Sequence, residues 1–448
     1  RQTGIAQQQT QRANSALADA QQQRQRAEEN EAIAEEREVL ARRNLYTAHM
    51  NLARDAFDQL DVPRVLDLLE RHAPAPGEQD WRSFEWYYLL GQCNRDELTI
   101  NCRHSYSRPA FSPDGKILAA GVAGTGVELW DMDQLKRIGV LKNGAVRGPI
   151  AFSPDGKVLA FLAAGEIKLW DLEKQERIRS FGEHEHFTQG LAFTPDGKRI
   201  VSTDGGGLDT KTMPGVIRVW NVETGERLLE MKGHTQYIWN MDMSPDGNTL
   251  ATAGKGEVRF WDLQTGEPIE DFQLRAQYQV AWSPGGEFLA TDGDGKPDIV
   301  LWDASTGMEL RRIEVPPSVL FGLAFSPDGT RLASCHSDST VRLWDVSSGK
   351  QLDLFQGHSQ WVFSLVYSPD GRRVASVGRD SRLKVWPFDE LDSGSPQNGT
   401  FPRKWEKSLG RDRMQLSPDG QRIATVQDHR TVAILDIQTG QVDAQLSV

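Results

Sequence analysis

Three groups of residues in this chain have types and spacings that could do chemistry. His184 and His186 stand two apart beside Glu183 and Glu185, a set that a transition metal could use. Asp292-Gly293-Asp294-Gly295, followed by Asp298, has the opening of a calcium loop without its later ligands or closing Glu. The third group is aromatic: Phe187, Tyr237, Trp239, Tyr278, Phe321, Trp361 and Phe363, with Arg379 nearby in sequence to the last two. Exposed aromatics with an arginine are the chemistry of a binding surface rather than of a reaction. No Gly-rich phosphate loop, His-Arg-Asp loop or Asp-Phe-Gly occurs.

The elements that must position these residues are set by a repeat. Ser-Pro-Asp-Gly or a near copy starts at Ser112, Ser153, Thr194, Ser244, Ser283, Ser326, Ser368 and Ser417, at intervals of 41, 41, 50, 39, 43, 42 and 49 residues. Pro pre-sets φ, Asp bonds its own backbone and Gly closes the turn, so each copy reads as a hairpin between two strands. A hydrophobic run ending in Trp follows each turn: Trp130, Trp170, Trp220, Trp261, Trp302, Trp344 and Trp386, with Leu435 in the eighth. A second turn then follows, as at Thr224-Gly225 and Thr265-Gly266. Four short strands per unit make one blade of a β-propeller.

Over residues 96–448 the chain resembles the WD-repeat family. The resemblance implies a hydrogen-bonded set in each blade: His before the first strand, Ser or Thr on the second, Asp in the next turn, Trp on the third. Repeat seven has all four as His358, Ser376, Asp380 and Trp386. Repeat six has Ser334, Asp338 and Trp344 but no His in the expected place. Repeat four has His234, Thr252 and Trp261, with its Asp place near Lys255 and Gly256. These polar groups read as structural, because each buried donor left without a partner costs about 1–3 kcal/mol. His184 falls where a blade histidine belongs and Asp292 in a strand-to-strand turn, so no metal and no cofactor is expected. The expected fold is mainly β, a propeller of eight blades at about 44 residues each, with seven as the alternative. Glu97–Cys102 and Val442–Val448 are extra outer-strand candidates for closing the ring.

Counting back from each tetrapeptide by seven and five places reaches the start of the innermost strand, near the channel mouth. Those pairs are Phe187/Gln189, Tyr237/Trp239, Ala276/Tyr278, Val319/Phe321 and Trp361/Phe363 in repeats three to seven. In repeats one, two and eight they are Ser105/Ser107, Val146/Gly148 and Gly410/Asp412. Aromatics therefore run along one arc of the ring, where a protein or peptide partner is expected; the plainer reading is packing between blades.

The chain begins at Arg1 without an initiator Met, which reads as a piece of something longer. Residues 1–44 are Gln, Ala, Arg and Glu with a thin seam of Ala13, Ala16, Ala20, Ala27 and Ala34, a helical stalk or coiled coil. Residues 45–95 form a small helical module. Leu45, Met50, Leu52, Ala56, Phe57 and Leu60 give the first helix an apolar face, Pro63 opens a second, and Asp80 precedes the aromatic run Trp81–Leu90. The propeller then occupies 96–448. The succession Asn44-Leu45-Tyr46, Leu68-Leu69-Glu70-Arg71-His72, Pro76-Gly77-Glu78 and Phe84-Glu85-Trp86-Tyr87-Tyr88-Leu89 before a propeller resembles planctomycete-type bacterial serine/threonine kinases. It matches the part that follows their membrane helix. That resemblance implies a place on the extracytoplasmic side of a bacterial membrane, the alternative being cytoplasmic.

A net charge of −12 and a pI near 5.4 argue against nucleic-acid partners. The longest apolar run, Val158–Ala164, is a buried strand, so no membrane span is expected. The three cysteines, Cys93, Cys102 and Cys335, have no metal spacing. The function expected is non-enzymatic: an interaction or ligand-sensing platform, the sensor or scaffold region of a larger signalling protein such as a membrane-anchored kinase. Two alternatives stand beside it. One is a scaffold that forms homo-oligomers through residues 1–44; the other is a propeller enzyme, which would need acids or histidines converging on the channel.

Overall fold

The computed structural model describes residues 2–74, 82–102, 107–142, 146–182, 184, 188–204, 214–276, 278–293 and 295–388, and the backbone of strands 414–416, 422–428, 431–436 and 442–447. Side chains of residues 2–20, 84, 147 and 271–273 are outside that description. The chain divides into two compact units, Gly91–Gly399 and Arg1–Leu90 with Thr400–Val448.

Among the described residues the strands form eight four-stranded antiparallel sheets, and seven of these lie in Gly91–Gly399. Six are consecutive in sequence: 110–141, 146–181, 191–232, 238–274, 280–313 and 320–356. The seventh takes three strands from 362–387 and its outer strand from Leu98–Asn101, in the register Leu98↔Val385 and Ile100↔Leu383. The ring therefore has seven blades, the alternative, and not the eight expected.

Two observations give the physical reason. Each seam between blades is filled by its own apolar cluster. The seam between blades seven and one holds Phe111, Leu118 and Met132 against Ile100, Ala375, Val377, Leu383 and Val385. The hairpin turns also interlock. Gly156 sits against Pro113 of the preceding blade, and the pattern repeats at Gly197 against Pro154, Gly247 against Pro195, Gly286 against Pro245, Gly329 against Pro284 and Gly371 against Pro327. Gly115 of blade one sits against Pro369 of blade seven, which closes the circle. The eighth repeat forms a four-stranded sheet of its own, residues 414–447, in the other unit.

The turn chemistry is visible in atomic detail. In blade one Ser112 Oγ donates to Asp114 Oδ1 at 2.6 Å and accepts from Ile117 N at 2.9 Å, while Gly115 takes φ +72°. The serine bond most of all, and then the bond from Lys116 N at 3.1 Å, hold the Asp114 carboxyl below the usual range. Gly285 replaces the Asp in blade five, and there the Ser283 Oγ bond to Phe288 N remains at 2.9 Å.

In the other unit, α1 (Gln2–Asp58) runs unbroken past residue 44, followed by α2 (Val62–Glu70); α3 (Phe84–Cys93) begins in this unit. Asp61 caps α2 by accepting from Arg64 N at 3.2 Å. Met50, Ala53 and Ala56 of α1 and Val65, Leu68 and Leu69 of α2 are buried, and α1 packs on α2. Trp86 donates its indole N–H to Leu69 O at 2.8 Å. Further toward the N-terminus α1 leaves Ile33, Val39 and Leu40 exposed. No helix among the described residues is long and apolar enough to cross a membrane.

Candidate interaction site at the channel mouth

The hydrogen-bonded blade sets form first, because they fix the frame. In blade seven Ser376 Oγ accepts from Trp386 Nε1 at 2.8 Å, and His358 bonds Ser376 at 2.8 Å and Asp380 at 3.0 Å. In blade four Thr252 joins Trp261 and His234 at 2.8 Å each, and Glu257 supplies the acid, 3.0 Å from His234 Nδ1. That acid lies just past the Lys255–Gly256 place. In blade six Trp344 donates to Ser334 at 2.7 Å, and the histidine missing before the first strand is replaced by His336 on the second, 2.7 Å from Ser334 Oγ. Asp338 turns to Thr340 and Arg342 instead. Burial, with the Arg342 cation beside it, pushes the His336 imidazole down to about 3.

The two metal candidates resolve differently. His184 bonds Ser202 at 2.9 Å in the blade-three set, and burial lowers its pKa; Glu183, Glu185 and His186 lie outside the described residues. Asp292 accepts the backbone N–H of Tyr278 at 3.0 Å and of Gln279 at 2.8 Å, pinning the start of the blade-five inner strand. Asp298 pairs with Arg312 at 3.4 Å, and Asp294 lies outside the described residues. No cluster of three or more His, Cys, Asp or Glu residues fit for a metal occurs among the described residues.

The mouth of the ring is organised by a local irregularity. In blades four, six and seven the ladder between the first two strands slips at one residue, between Ile238 and Asn240, Leu320 and Gly322, and Val362 and Ser364. The residues skipped are Trp239, Phe321 and Phe363. A bulged residue is freed from the ladder and its side chain is re-aimed. Tyr237 meets Trp239 edge-on with ring centroids 5.1 Å apart, and Trp239 meets Tyr278 at 5.4 Å. Phe321 stacks on Trp361 at 5.8 Å, and the Arg379 guanidinium lies 5.3 Å above Trp361. The arc is thus two clusters. Trp361 is 48% exposed and Arg379 is exposed. Phe321 and Phe363 are half-buried and also pack on the seams of blades six–seven and seven–one. Phe187 lies outside the described residues.

Behind the arc is a cavity of about 430 Å³ lined by residues of all seven blades. Two of its residues were not singled out in the sequence. Arg108, from blade one, reaches across the ring to donate from Nη2 to Trp239 O in blade four at 2.9 Å. Asp242 accepts from Trp282 N at 2.7 Å and Met243 N at 2.9 Å, and burial raises its carboxyl to about 6. A signal for both existed in the repeat. Four places before the tetrapeptide Arg108 aligns with Pro149, Gly190, Asn240, Gln279, Gly322 and Ser364, and two places before it Asp242 aligns with five alanines and Val366. Trp239 Nε1 is buried and finds no acceptor among the described residues.

Residues 225–262, 311–345 and 349–387 match the family model "WD domain, G-beta repeat". The chain thus carries WD40 repeats on a β-propeller fold, a fold that typically serves as a protein-interaction scaffold without catalysis. A chain in the "Crystal Structure of Mitotic Checkpoint Complex" is similar in fold, with a TM-score of 0.57 and 22% identity over 70% of this chain and 96% of that one. Among curated proteins no match is found.

Proposed function

We propose that the chain is a non-catalytic platform that holds a protein or peptide partner along the arc Tyr237, Trp239, Tyr278, Phe321, Trp361 and Phe363, with Arg379 at its edge. The observation that carries this is the bulge under Trp239, Phe321 and Phe363, which costs ladder pairing and sets large aromatics at the rim. The like positions in blades one and two, Ser107 and Gly148, are small and bond each other at 2.8 Å. Fold likeness to a chain solved within a multiprotein complex agrees with a partner-binding role. The test compares immobilised wild-type chain with the Trp239→Ala/Trp361→Ala variant in capture from lysate; unchanged recovery by the variant contradicts the reading.

The helical segment's resemblance to planctomycete-type kinases, over about 45 residues, supports a place as the sensor or scaffold region of a membrane-anchored kinase. In that division residues 1–44 are the stalk and 45–95 the adjoining module. A second reading, self-association through residues 1–44, is favoured by Ile33, Val39 and Leu40 standing exposed on α1. Sedimentation equilibrium with and without residues 1–44 tests it, and a monomer in both cases removes it.

A further inference from the structure

Arg108 is placed as few arginines are. It lines the central cavity, and the bond to Trp239 O is the one hydrogen bond it makes among the described residues. No carboxylate among those residues pairs with it, and Asp242, the acid lining the same cavity, gives its oxygens to Trp282 N and Met243 N. A guanidinium has five N–H donors and stays charged. A half-buried cation with no carboxylate bonded to it is costly, and the geometry of its fork matches a carboxylate. Burial pulls its pKa down to about 10, which still leaves it protonated at neutral pH.

We infer that the channel behind the aromatic arc is a carboxylate-binding site with Arg108 as its receptor, so that the arc's ligand presents an acidic group into the ring. Where the rest of a peptide lies rests on the arc reading above; the carboxylate site itself stands on the cavity and on Arg108. Arg108 is the one base and Asp242 the one acid among the residues lining the cavity, so the site offers a single positive charge beside a carboxylate that backbone N–H groups already hold. That matches a carboxylate monoanion and not a phosphate dianion, which would leave negative charge unpaired within the channel. A cavity of about 430 Å³ takes a side chain or a small acid rather than a folded element. The carboxylate has two sources, a free small acid or a Glu or Asp of a peptide. Arg108 also touches the backbone of Trp239, so ligand at the guanidinium and ligand on the arc meet at one residue.

The experiment titrates the full chain with glutarate, and with pools of capped octapeptides fixed at a central Glu, Gln or phosphoserine, read by calorimetry. The Glu pool is expected to bind roughly tenfold or more tightly than the Gln pool. Arg108→Gln erases that ratio, and Arg108→Lys lowers it several-fold because an ammonium lacks the fork. An Arg108-dependent glutarate signal supports a free acid as the source; a Glu preference with no glutarate signal supports a peptide side chain. Thermal unfolding of both variants checks the fold, and the Lys variant keeps the test open if the Gln variant does not fold. No Glu preference in the wild type, a preference unchanged in Arg108→Gln and Arg108→Lys, or tighter binding of the phosphoserine pool overturns the assignment. Trp361→Ala separates the two readings. Weaker binding of Glu and Gln pools alike supports the arc, whereas an unchanged affinity sinks the arc and leaves the carboxylate site standing.

Discussion

The sets of blades four, six and seven and the channel mouth are built from the same repeat but treat their polar groups in opposite ways. In the sets, Ser376, Thr252 and Ser334 each serve both a tryptophan and a histidine, and every partner is buried and satisfied. At the mouth, Trp239 Nε1 has no acceptor among the described residues, Trp361 faces solvent, and Arg108 meets a neutral carbonyl instead of an acid. Satisfied groups hold a frame together; the exposed Trp361 ring and the Arg108 donors lining the cavity are available to a ligand. The residue types alone, tryptophan in both places, do not distinguish the two roles.

Removing the centre of a set should break the frame hardest. Ser376→Ala strands His358 Nε2 and Trp386 Nε1, both buried, and is expected to cost about 2–4 kcal/mol. The check is the shift in urea midpoint at constant slope. Acid should act next, through His336. Its folded pKa lies below the ordinary value near 6.5, so its stabilising contribution is full above that pH and is lost on acidification toward 3. Between pH 7 and pH 5 the loss from this group is about 2 kcal/mol, and urea titrations of His336→Gln should show a correspondingly flatter acid limb.

The turn circle gives a smaller effect. Gly247 takes φ +72°, and an added methyl would lie 2.5 Å from Pro195 Cδ, so Gly247→Ala is expected to cost about 1–3 kcal/mol. Gly124→Ala, at φ +77° with nothing within 4 Å, keeps the backbone strain without the clash and should cost less. Thermal melts of the pair check the difference. Smallest of all is the stability effect at the rim: Trp361→Ala should shift stability by less than about 1 kcal/mol, since the ring is half exposed, while partner capture falls. A melt shifted as far as that of Ser376→Ala would merge the two regions into one structural class.

Blade type was legible from Ser-Pro-Asp-Gly and Trp because both are local. Blade number was not, since closure depends on contacts such as Gly115 with Pro369 and Ile100 beside Leu383, far apart in the chain. Counting repeats gave eight; the turn of repeat seven meets that of repeat one. Small exchanges hid two set members: Glu257 supplies the acid just past its expected place, and His336 comes from a different strand. The aromatic positions could be found by counting back from the turn, but not the bulges that free Trp239, Phe321 and Phe363, because a one-residue slip leaves no mark in composition. Arg108 was missed because its contact crosses the ring, although the alignment of the repeats does single it out.

The most direct test of the division between frame and mouth is quantitative partner capture by three forms at a temperature where all are folded: wild type, Ser376→Ala and Trp239→Ala/Trp361→Ala. The account predicts full capture by Ser376→Ala despite its lowered stability, and loss of capture by the tryptophan pair. Retained capture by the tryptophan pair would contradict it.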